Sequence, residues 1–576
     1  MIDALSRPRA TRAFGIGLGI LLVAGAVRAQ VSTNVTVLVD KPLQYANTLL
    51  EATMPATGLG LGTSVYANQW GNPSLPGLIK ASGVQTLRYP GGSYADLYNW
   101  STGTGNAGAY VAAHSDFANF IHVMDESHTS AVVTINYGSN TTNTIGGQPP
   151  EAAAWVAYAN ADPGIYGSAA DVVLGTDPAD VKWYTAGYWA KLRSSTPDEY
   201  KSWASASGEF DPAYLFLAIH HPAPAHIKYW EIGNEVGGNG FYGPQWEYDL
   251  HAPYKNGDSK SNAGRKNNPL LSPVAYGHNF IRFVRLMKSL DPSIKIGTGF
   301  AAFRDDHGDE TLLRVAGDFI DFGIIHWYPA GPNSADPVAS LPNAVTSGPF
   351  ALSQLVDNLR KDARIYAYKG AGNFEVNFTE FNYSAQNASM ASYALFIADA
   401  YATGFENGVR NMDMQEMVGK PYLGDGPLVP GGEFYGIQMV RRFASAGDRF
   451  VSTVCRDPKL RVHAVKRSGG GVALMLINDG AASDQSQDRR VTATVMGVPP
   501  GAKQGMLYLF GAGNTTGSTI TPPVAQKFNC PGNSFTLTIP QQTIGVLVFS
   551  EVAPLPTILF SISTLLMGRR SRTPLY

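Results

Sequence analysis

The sequence predicts an α/β protein, a (β/α)8 TIM barrel followed by a C-terminal antiparallel β-sandwich, and three observations support this. From about 59 to 417, short apolar runs ending in polar or aromatic residues alternate with longer amphipathic stretches, as strands do when they feed helices in a parallel sheet. Eight such runs occur, the number a closed barrel needs. After about 433 the pattern changes to short alternating or β-branched runs separated by Gly, Asn, Asp and Pro, which is how an antiparallel sandwich reads.

The first predicted strand is GLGLGTSVY (58–66). The others are VQTLRYPGG (84–92), SAVVTINYG (130–138), IKYWEIGNE (227–235), SIKIGTG (293–299), DFGIIHWY (321–328), FEVNFTEFN (374–382) and VRNMDMQEM (409–417). Between them FANFIHVMDESH, PEAAAWVAYAN and GHNFIRFVRLMKSL carry apolar residues at three- and four-residue spacing, the helical period. Two loop-like insertions, 251–269 and 329–349, follow strand ends, where loops roof a cleft. The sandwich strands lie in RVHAVKRSGGGVALMLINDG, RRVTATVMGV, QGMLYLFGAG and SFTLTIPQQTIGVLVFSE. The segment VSTNVTVLVD (31–40) also reads as a strand and is expected to join the sandwich. The predicted divisions are a signal peptide (1–29), an N-terminal strand segment (30–57), the catalytic barrel (58–432), the sandwich (433–552) and a short apolar and basic tail (553–576).

Hydrophobic residues make up 44% of the 576 residues and charged residues 15%, a globular composition without wholesale disorder. Arg7, Arg9 and Arg12 precede the apolar run FGIGLGILLVAGAV, and Val27-Arg28-Ala29 offers small residues for cleavage. This predicts an exported protein, secreted or held at the cell surface. Removing 1–29, with four arginines and one aspartate, takes the net charge from -2 to about -5; nucleic-acid binding needs a basic footprint and is not expected. Cys455 and Cys530 could pair in an oxidising compartment or remain free thiols. At the C-terminus, Pro554 and Pro556, a 13-residue apolar run and three arginines resemble a bacterial PEP-CTERM sorting tail without its Pro-Glu-Pro core. Attachment to a membrane or cell surface through it is the corresponding expectation.

The stretch KYWEIGNEV (228–236) sets two acids among apolar neighbours. Barrel enzymes carry their chemistry at the C-terminal ends of strands. With a strand over about 227–233, Glu235 falls at the tip. Glu231 lies deeper on the same face by two-residue periodicity, in a supporting role. In FEVNFTEFN, Glu380 is at the tip and Glu375 near the start, at the far end of the barrel. Two carboxyls on the fourth and seventh strand tips suit glycoside hydrolysis: one donates a proton to the leaving oxygen, the other attacks the anomeric carbon or activates water.

WEIGNE and TEFN resemble the two acid motifs of the clan A glycoside hydrolases, retaining barrel enzymes with the acid/base on strand four and the nucleophile on strand seven. LRYPGGSYADLYNW (87–100) and PEAAAWVAYAN (150–160) are similar to the family 51 α-L-arabinofuranosidases, and less closely to families 39 and 79. The resemblance covers roughly 58–552. One departure is Ser93, where family 51 usually has a cysteine after PGG. The resemblance implies Glu235 as acid/base with a raised pKa, Glu380 as ionised nucleophile, and Asn234 on the sugar 2-hydroxyl.

Arg88 is expected to hold the nucleophile's charge. His326 and Tyr328 are expected to orient Glu380 or touch sugar, and Asn136 to contact a hydroxyl. Trp100, Tyr94 and Trp327 offer flat faces for a sugar ring, although such tryptophans more often pack in the core. His220, His221 and His226 match no metal-ligand spacing, and PGG (90–92) and GGNGFYG (237–243) read as tight turns near the cleft rather than nucleotide loops. No metal or cofactor is expected. The expected partner is a polysaccharide or oligosaccharide, with α-L-arabinofuranoside as the first substrate. A β-xylosidase, β-glucuronidase or endo-glucanase on the same scaffold stays open, as does a non-catalytic carbohydrate-binding surface protein.

Overall fold

Strand β1 (Gln30–Pro42) belongs to the C-terminal sheet, and the next eight strands close into a barrel. They are β2 (Leu59–Gly62), β3 (Thr86–Tyr89), β4 (Ser130–Ile135), β5 (Tyr229–Ile232), β6 (Lys295–Gly299), β7 (Phe322–Trp327), β8 (Glu375–Phe381) and β9 (Asn411–Met414). Each is parallel to its neighbours, and β9 returns to β2. The structure, a computed structural model, describes residues 30–45, 48–165, 171–236, 248–252, 268–300, 307–329, 352–368, 374–383, 388–419, 421–424, 427–480, 488–498, 503–516 and 519–550. The leader at 1–29, the tail at 553–576, the glycine-rich 237–243 and most of both insertions lie outside the described residues.

Helices α1 (Leu75–Ser82), α2 (Phe117–Ser127), α3 (Pro149–Asn160), α4 (Ala186–Ser194), α5 (Pro197–Ser207), α6 (Pro273–Leu290), α7 (His307–Ala316), α8 (Leu352–Tyr366), α9 (Met390–Glu406) and α10 (Gly432–Phe443) connect and follow the barrel strands. Several start on the side-chain caps their sequences offer: Asp116 accepts from Asn119 N, Ser272 from Ala275 N, and Thr196 forms a capping box with Glu199. Helix α3 is buried from Pro149 to Ala159, except Pro150. It is apolar all round because the β4–β5 crossover adds α4 outside it, giving it a partner on both faces. Helix α10 lies past the sequence boundary at 433 and packs on α9 and α1, so it completes the barrel's outer ring; the sandwich strands start only at Arg449. Among the described residues no helix is long and apolar enough to cross a membrane.

The second domain is one nine-stranded sheet. It comprises β1 with β10 (Arg449–Cys455), β11 (Leu460–Lys466), β12 (Val472–Asn478), β13 (Asp488–Met496), β14 (Lys503–Gly511), β15 (Val524–Cys530), β16 (Ser534–Ile539) and β17 (Thr543–Ser550). Its order is β15-β14-β17-β12-β11-β10-β1-β13-β16. The two edges meet face to face, Phe528 on β15 lying 5.3 Å from Phe535 on β16. The sheet therefore curls into a sandwich over a core that includes Val37, Leu474, Val491, Leu537 and Leu547. Its pairings are antiparallel except β1 with β13, which run parallel because β1 enters from the far end of the chain. The alternating pattern read at 31–40 buries Val35, Val37 and Val39. Cys455 and Cys530 are both free. The outer sheet face packs on the barrel, where Phe510 lies 4.9 Å from Tyr435 of α10.

Candidate active site

Arg88, on β3, is fully buried and lies at the centre of the barrel mouth. Its Nε and Nη2 each donate to one oxygen of Glu231 at 3.0 Å, a fork on a carboxylate. Nη2 also donates to Asn234 Oδ1 at 2.7 Å, and Nη1 to Glu380 Oε1 at 2.7 Å. Glu231 receives two further hydroxyls, Thr134 Oγ1 at 2.9 Å and Thr379 Oγ1 at 3.2 Å. It is thus a buried counter-charge with every side occupied, which is the supporting role its depth implied. Burial opposes the charge on Arg88, but the facing Glu231 and Glu380 outweigh it and hold the guanidinium ionised.

Two local backbone features bring the strand-tip acids into line. Strand β5 ends at Ile232, and the chain leaves it through Gly233 at φ 74° and Glu235 at φ 42°. A Cβ on Gly233 would lie 2.8 Å from Tyr137 Cβ, so both the turn and the close approach require glycine. Glu235 holds a left-handed conformation that costs a non-glycine residue about 1–3 kcal/mol, as residues at functional sites often do. On β8, Asn377 to Glu380 spans three steps while Ile324 to His326 on β7 spans two. The same slip occurs against β9. This bulge lets consecutive residues, Thr379 and Glu380, both reach into the mouth.

Tyr328 donates to Glu380 Oε2 at 2.9 Å, so each oxygen of this carboxylate has one donor. His326 Nδ1 lies 2.9 Å from Glu235 Oε1 and 3.6 Å from Glu380 Oε2, and its Nε2 lies 3.0 Å from Thr379 Oγ1. Burial works against the imidazolium, yet the Glu380 and Glu235 carboxylates raise the His326 pKa. The Tyr328 ring is open at the rim while its hydroxyl sits in the cleft, where desolvation and then the Glu380 charge push its pKa well above the ordinary value. One oxygen each of Glu235 and Glu380 and a ring nitrogen of His326 all lie within 4.8 Å of one another. Among the described residues this is the one His and carboxylate group spaced for a metal ion. Hydrogen bonds already account for its spacing. His220, His221 and His226 form no such group, and His221 pairs with Asp125 at 2.9 Å.

Of the predicted site residues, Glu235, Glu380, Asn234, Arg88, His326 and Tyr328 converge. Two do not. Trp100 is fully buried and stacks on Trp155 at 5.4 Å, with Trp189 at 5.1 Å; the α2–α4 packing uses its ring, which presents no face to a sugar. Asn136 spends its amide on Tyr98 O and Ser139 Oγ and its oxygen on Ser139 N, so it braces a loop rather than offering a group to a hydroxyl. Trp327 likewise packs on Phe396, and Glu375 closes the opposite end of the barrel with Tyr229, Lys295 and Arg410.

Sequence reading missed Glu416, which follows β9 and accepts from Ser64 and from Tyr66, the latter at 2.8 Å. The strand-tip rule, applied to the eighth strand as it was to the fourth and seventh, would have found it. The PGG turn was read as lying near the cleft, and the structure gives Gly92 a closer reason: an added Cβ there would stand 2.7 Å from Glu380 Oε1.

No protein-family model matches the chain. The curated relatives include a probable α-L-arabinofuranosidase C from Aspergillus fumigatus, 23% identical over 288 residues, 46% of this chain and 42% of that protein. The chain thus matches less than half the length of that relative. Solved structures align over far more of it. An α-L-arabinofuranosidase from Thermotoga maritima in complex with arabinose is 17% identical with a TM-score of 0.61, covering 90% of this chain and 99% of that one. A family 51 arabinofuranosidase from Xanthomonas axonopodis pv. citri is 17% identical with a TM-score of 0.60, covering 90% and 100%. A family 44 endoglucanase from Clostridium thermocellum is 14% identical with a TM-score of 0.56, covering 90% and 100%. A closed parallel barrel bearing a C-terminal sandwich, aligned over nine-tenths of this chain, is the fold it shares with these structures.

Proposed function

We propose that the protein is a retaining glycoside hydrolase whose first substrate is an α-L-arabinofuranoside. The observation that carries the reaction type is the approach of a Glu235 oxygen to within 4.8 Å of a Glu380 oxygen across the barrel mouth. Retaining enzymes hold their carboxyls about 5–5.5 Å apart, whereas inverting enzymes need about 6.5–9.5 Å to admit a water. The choice of sugar is supported by the arabinofuranosidases among the relatives and solved structures. An endo-glucanase is the second reading, favoured by the family 44 neighbour.

In this reading Glu380, fixed by Arg88 and Tyr328, attacks the anomeric carbon, and the glycosidic C–O bond breaks as Glu235 protonates the leaving oxygen. Glu235 is the more open of the two, with 32% of its side chain exposed against 10% for Glu380. That suits the group which first meets the leaving alcohol and then takes a proton from water attacking the glycosyl ester. Asn234, anchored by Arg88, is placed beside the nucleophile to meet the sugar 2-hydroxyl. We also propose that the chain is exported through the leader at 1–29; N-terminal sequencing of protein recovered outside the cell, beginning at Gln30, tests this.

A panel of nitrophenyl glycosides, including α-L-arabinofuranoside, β-D-xyloside, β-D-glucuronide and β-cellobioside, tests the substrate. Proton NMR of the first-formed product tests retention of anomeric configuration. Glu235→Gln is expected to lower kcat/KM about 10²–10⁴-fold on substrates with poor leaving groups, and far less on activated aryl glycosides that need no protonation. If the wild type hydrolyses no glycoside yet binds glycan, the carbohydrate-binding reading replaces this one.

A further inference from the structure

The sheet face that meets the barrel runs on past the helix that covers it. By two-residue alternation the face that carries Phe510 and Val546 into the core continues through Tyr508 to Met506 on β14 and to Val548 on β17, and Met506 and Val548 are register partners. Helix α10 ends at Phe443. There a cavity of about 530 Å³ opens between the last turn of α10, the β11–β12 hairpin and the sheet, a volume within the range of small-ligand sites. Arg441, Arg442 and Arg467 line one side and Met506, Tyr508 and Val548 the other, and none of the lining residues is acidic.

The arginines differ in what they already serve. Arg467 sets Nε 3.8 Å from Asp448 Oδ2 and donates from Nη2 to Ser445 Oγ at 3.3 Å. Asp448 is buried, and it also accepts from Ser445 N, Ser468 N and Ser468 Oγ, so its oxygens are taken. Arg442 donates to Gln438 O at 3.1 Å, and its guanidinium lies 5.2 Å from the centre of the Tyr508 ring. Arg441 is exposed, with its stem laid on the residue that ends α1: a Cβ on Gly83 would stand 2.4 Å from Arg441 Cγ. Among the described residues neither Arg441 nor Arg442 has an acid at ion-pair distance. Guanidiniums therefore outnumber carboxylates here, in a protein whose formal net charge is -2. Partial burial without a counter-ion lowers the Arg442 pKa. The group still stays charged, so an anion beside it offsets the cost of that burial.

A ligand that fits must bring a negative charge to the arginines and an apolar face to the sheet. An inorganic anion brings only the first, and a neutral sugar only the second. A uronic-acid residue brings both: a carboxylate that matches the planar guanidinium fork, and a ring whose C–H face can lie on Met506 and Tyr508. Gly83 precedes β3 by only a few residues, so Arg441 lies at the end of the barrel where the strands begin, away from the mouth that holds Glu235 and Glu380.

We propose that this cavity is a second carbohydrate site, separate from the catalytic mouth, that takes a uronic-acid residue of an acidic polysaccharide. Occupancy tethers the protein to the polymer and raises the effective concentration of its other sugars around the mouth. The assignment stands apart from the glycosidase reading, because none of its residues belongs to that site.

Titration calorimetry on the full chain tests it, with a galacturonic acid trimer, a neutral arabinose trimer and inorganic sulfate as probes. The proteins are wild type, Arg441→Gln, the double variant Arg441→Gln/Arg442→Gln, and Glu235→Gln. Wild type should bind the acidic trimer at least about tenfold more tightly than either other probe, and less tightly as salt rises. The double variant should lose at least about tenfold in affinity for it, and Arg441→Gln a smaller share. Glu235→Gln should bind it as wild type does, which separates this site from the mouth. Arg441 has no partner to lose, so Arg441→Gln should keep the melting temperature, and its kcat/KM on nitrophenyl α-L-arabinofuranoside should stay within about twofold. The inference is overturned if wild type does not bind the acidic trimer, if the double variant binds it equally well, if sulfate binds as tightly and displaces it, or if the neutral trimer matches it. If wild type hydrolyses no glycoside yet binds the acidic trimer through these arginines, the glycosidase reading fails and this assignment survives. If it hydrolyses the arabinofuranoside and the acidic trimer does not bind, the reverse holds.

Discussion

The molecule wedges a histidine between two carboxylates in two places, and the pair shows how similar groups serve opposite ends. At the junction of the domains, His463 of β11 sets Nδ1 2.8 Å from Glu406 and Nε2 2.8 Å from Asp399, both on α9. Arg461 adds a second cation to Asp399 at 3.2 Å. In the barrel mouth, His326 faces Glu235 through one nitrogen but a threonine hydroxyl through the other. Both His463 ring nitrogens face acids, so both must carry protons. Desolvation opposes this, but the Glu406 and Asp399 interactions prevail and raise its pKa to about 9. His326 faces only one acid at hydrogen-bond distance, and that partner, Glu235, is 32% exposed. The first group is a charged pin in which His463 and Asp399 are buried. The second keeps a carboxylate in place while leaving it open to exchange a proton.

The largest test of this contrast is at the mouth. On the proposed reaction, Glu380→Gln should cut kcat/KM by about 10⁴-fold or more, while the melting temperature changes little. A melting temperature that falls with activity would place Glu380 in the structural class with His463. At the junction the pattern should reverse. His463→Ala leaves Asp399 and Glu406 facing each other and should destabilise the fold by about 3–5 kcal/mol, with kcat of the folded enzyme nearly unchanged. Thermal melting and specific activity, measured on the same preparation, separate the two.

A smaller effect sharpens the comparison through pH. The folded His463 pKa, about 9, lies above its ordinary 6.5, so its contribution is complete below about pH 6.5 and is lost as pH rises toward 9. Asp399 is shifted the other way: burial raises its pKa, but Arg461 and His463 more than offset this, so its contribution is lost only as pH falls below about 3.8. The melting temperature should therefore decline between pH 6.5 and 9 in the wild type, and more weakly in His463→Gln. Equal slopes would remove His463 as the pin. The smallest expected effect is that of a chelator. Because hydrogen bonds account for the Glu235, His326 and Glu380 spacing, EDTA dialysis should leave activity within about twofold.

Much of the site was legible because a barrel presents strand ends at one mouth. The position of an acid within a run, such as Glu235 after YWEI or Glu380 after FEVNFT, then says which end of the barrel it occupies. The same logic separated Glu375 from Glu380, and the structure places them at opposite ends. It failed for Asn136 and Trp100, whose placement near a tip says nothing about what else competes for the side chain. Ser139 and Tyr98 take up the amide, and Trp155 takes up the ring. It was not carried to the eighth strand, where it would have reached Glu416; only the hydroxyls that acid accepts, from Ser64 and Tyr66 some 350 residues away, lay beyond it.

What the sequence determined by itself was periodicity: the eight runs, the change to alternating strands, and the order in which the acids reach the mouth. Those follow from local chain geometry, which repeats every two or 3.6 residues. What only the tertiary structure decided was orientation. Strict alternation would turn Glu380 away from Thr379; the bulge against β7 and β9 turns both inward. Likewise the left-handed turn at Gly233 and Glu235, not the pleat, carries the second acid to within 4.8 Å of the first. Both are set by register between strands distant in the chain and by the space left beside Tyr137, and neither has a period to be read.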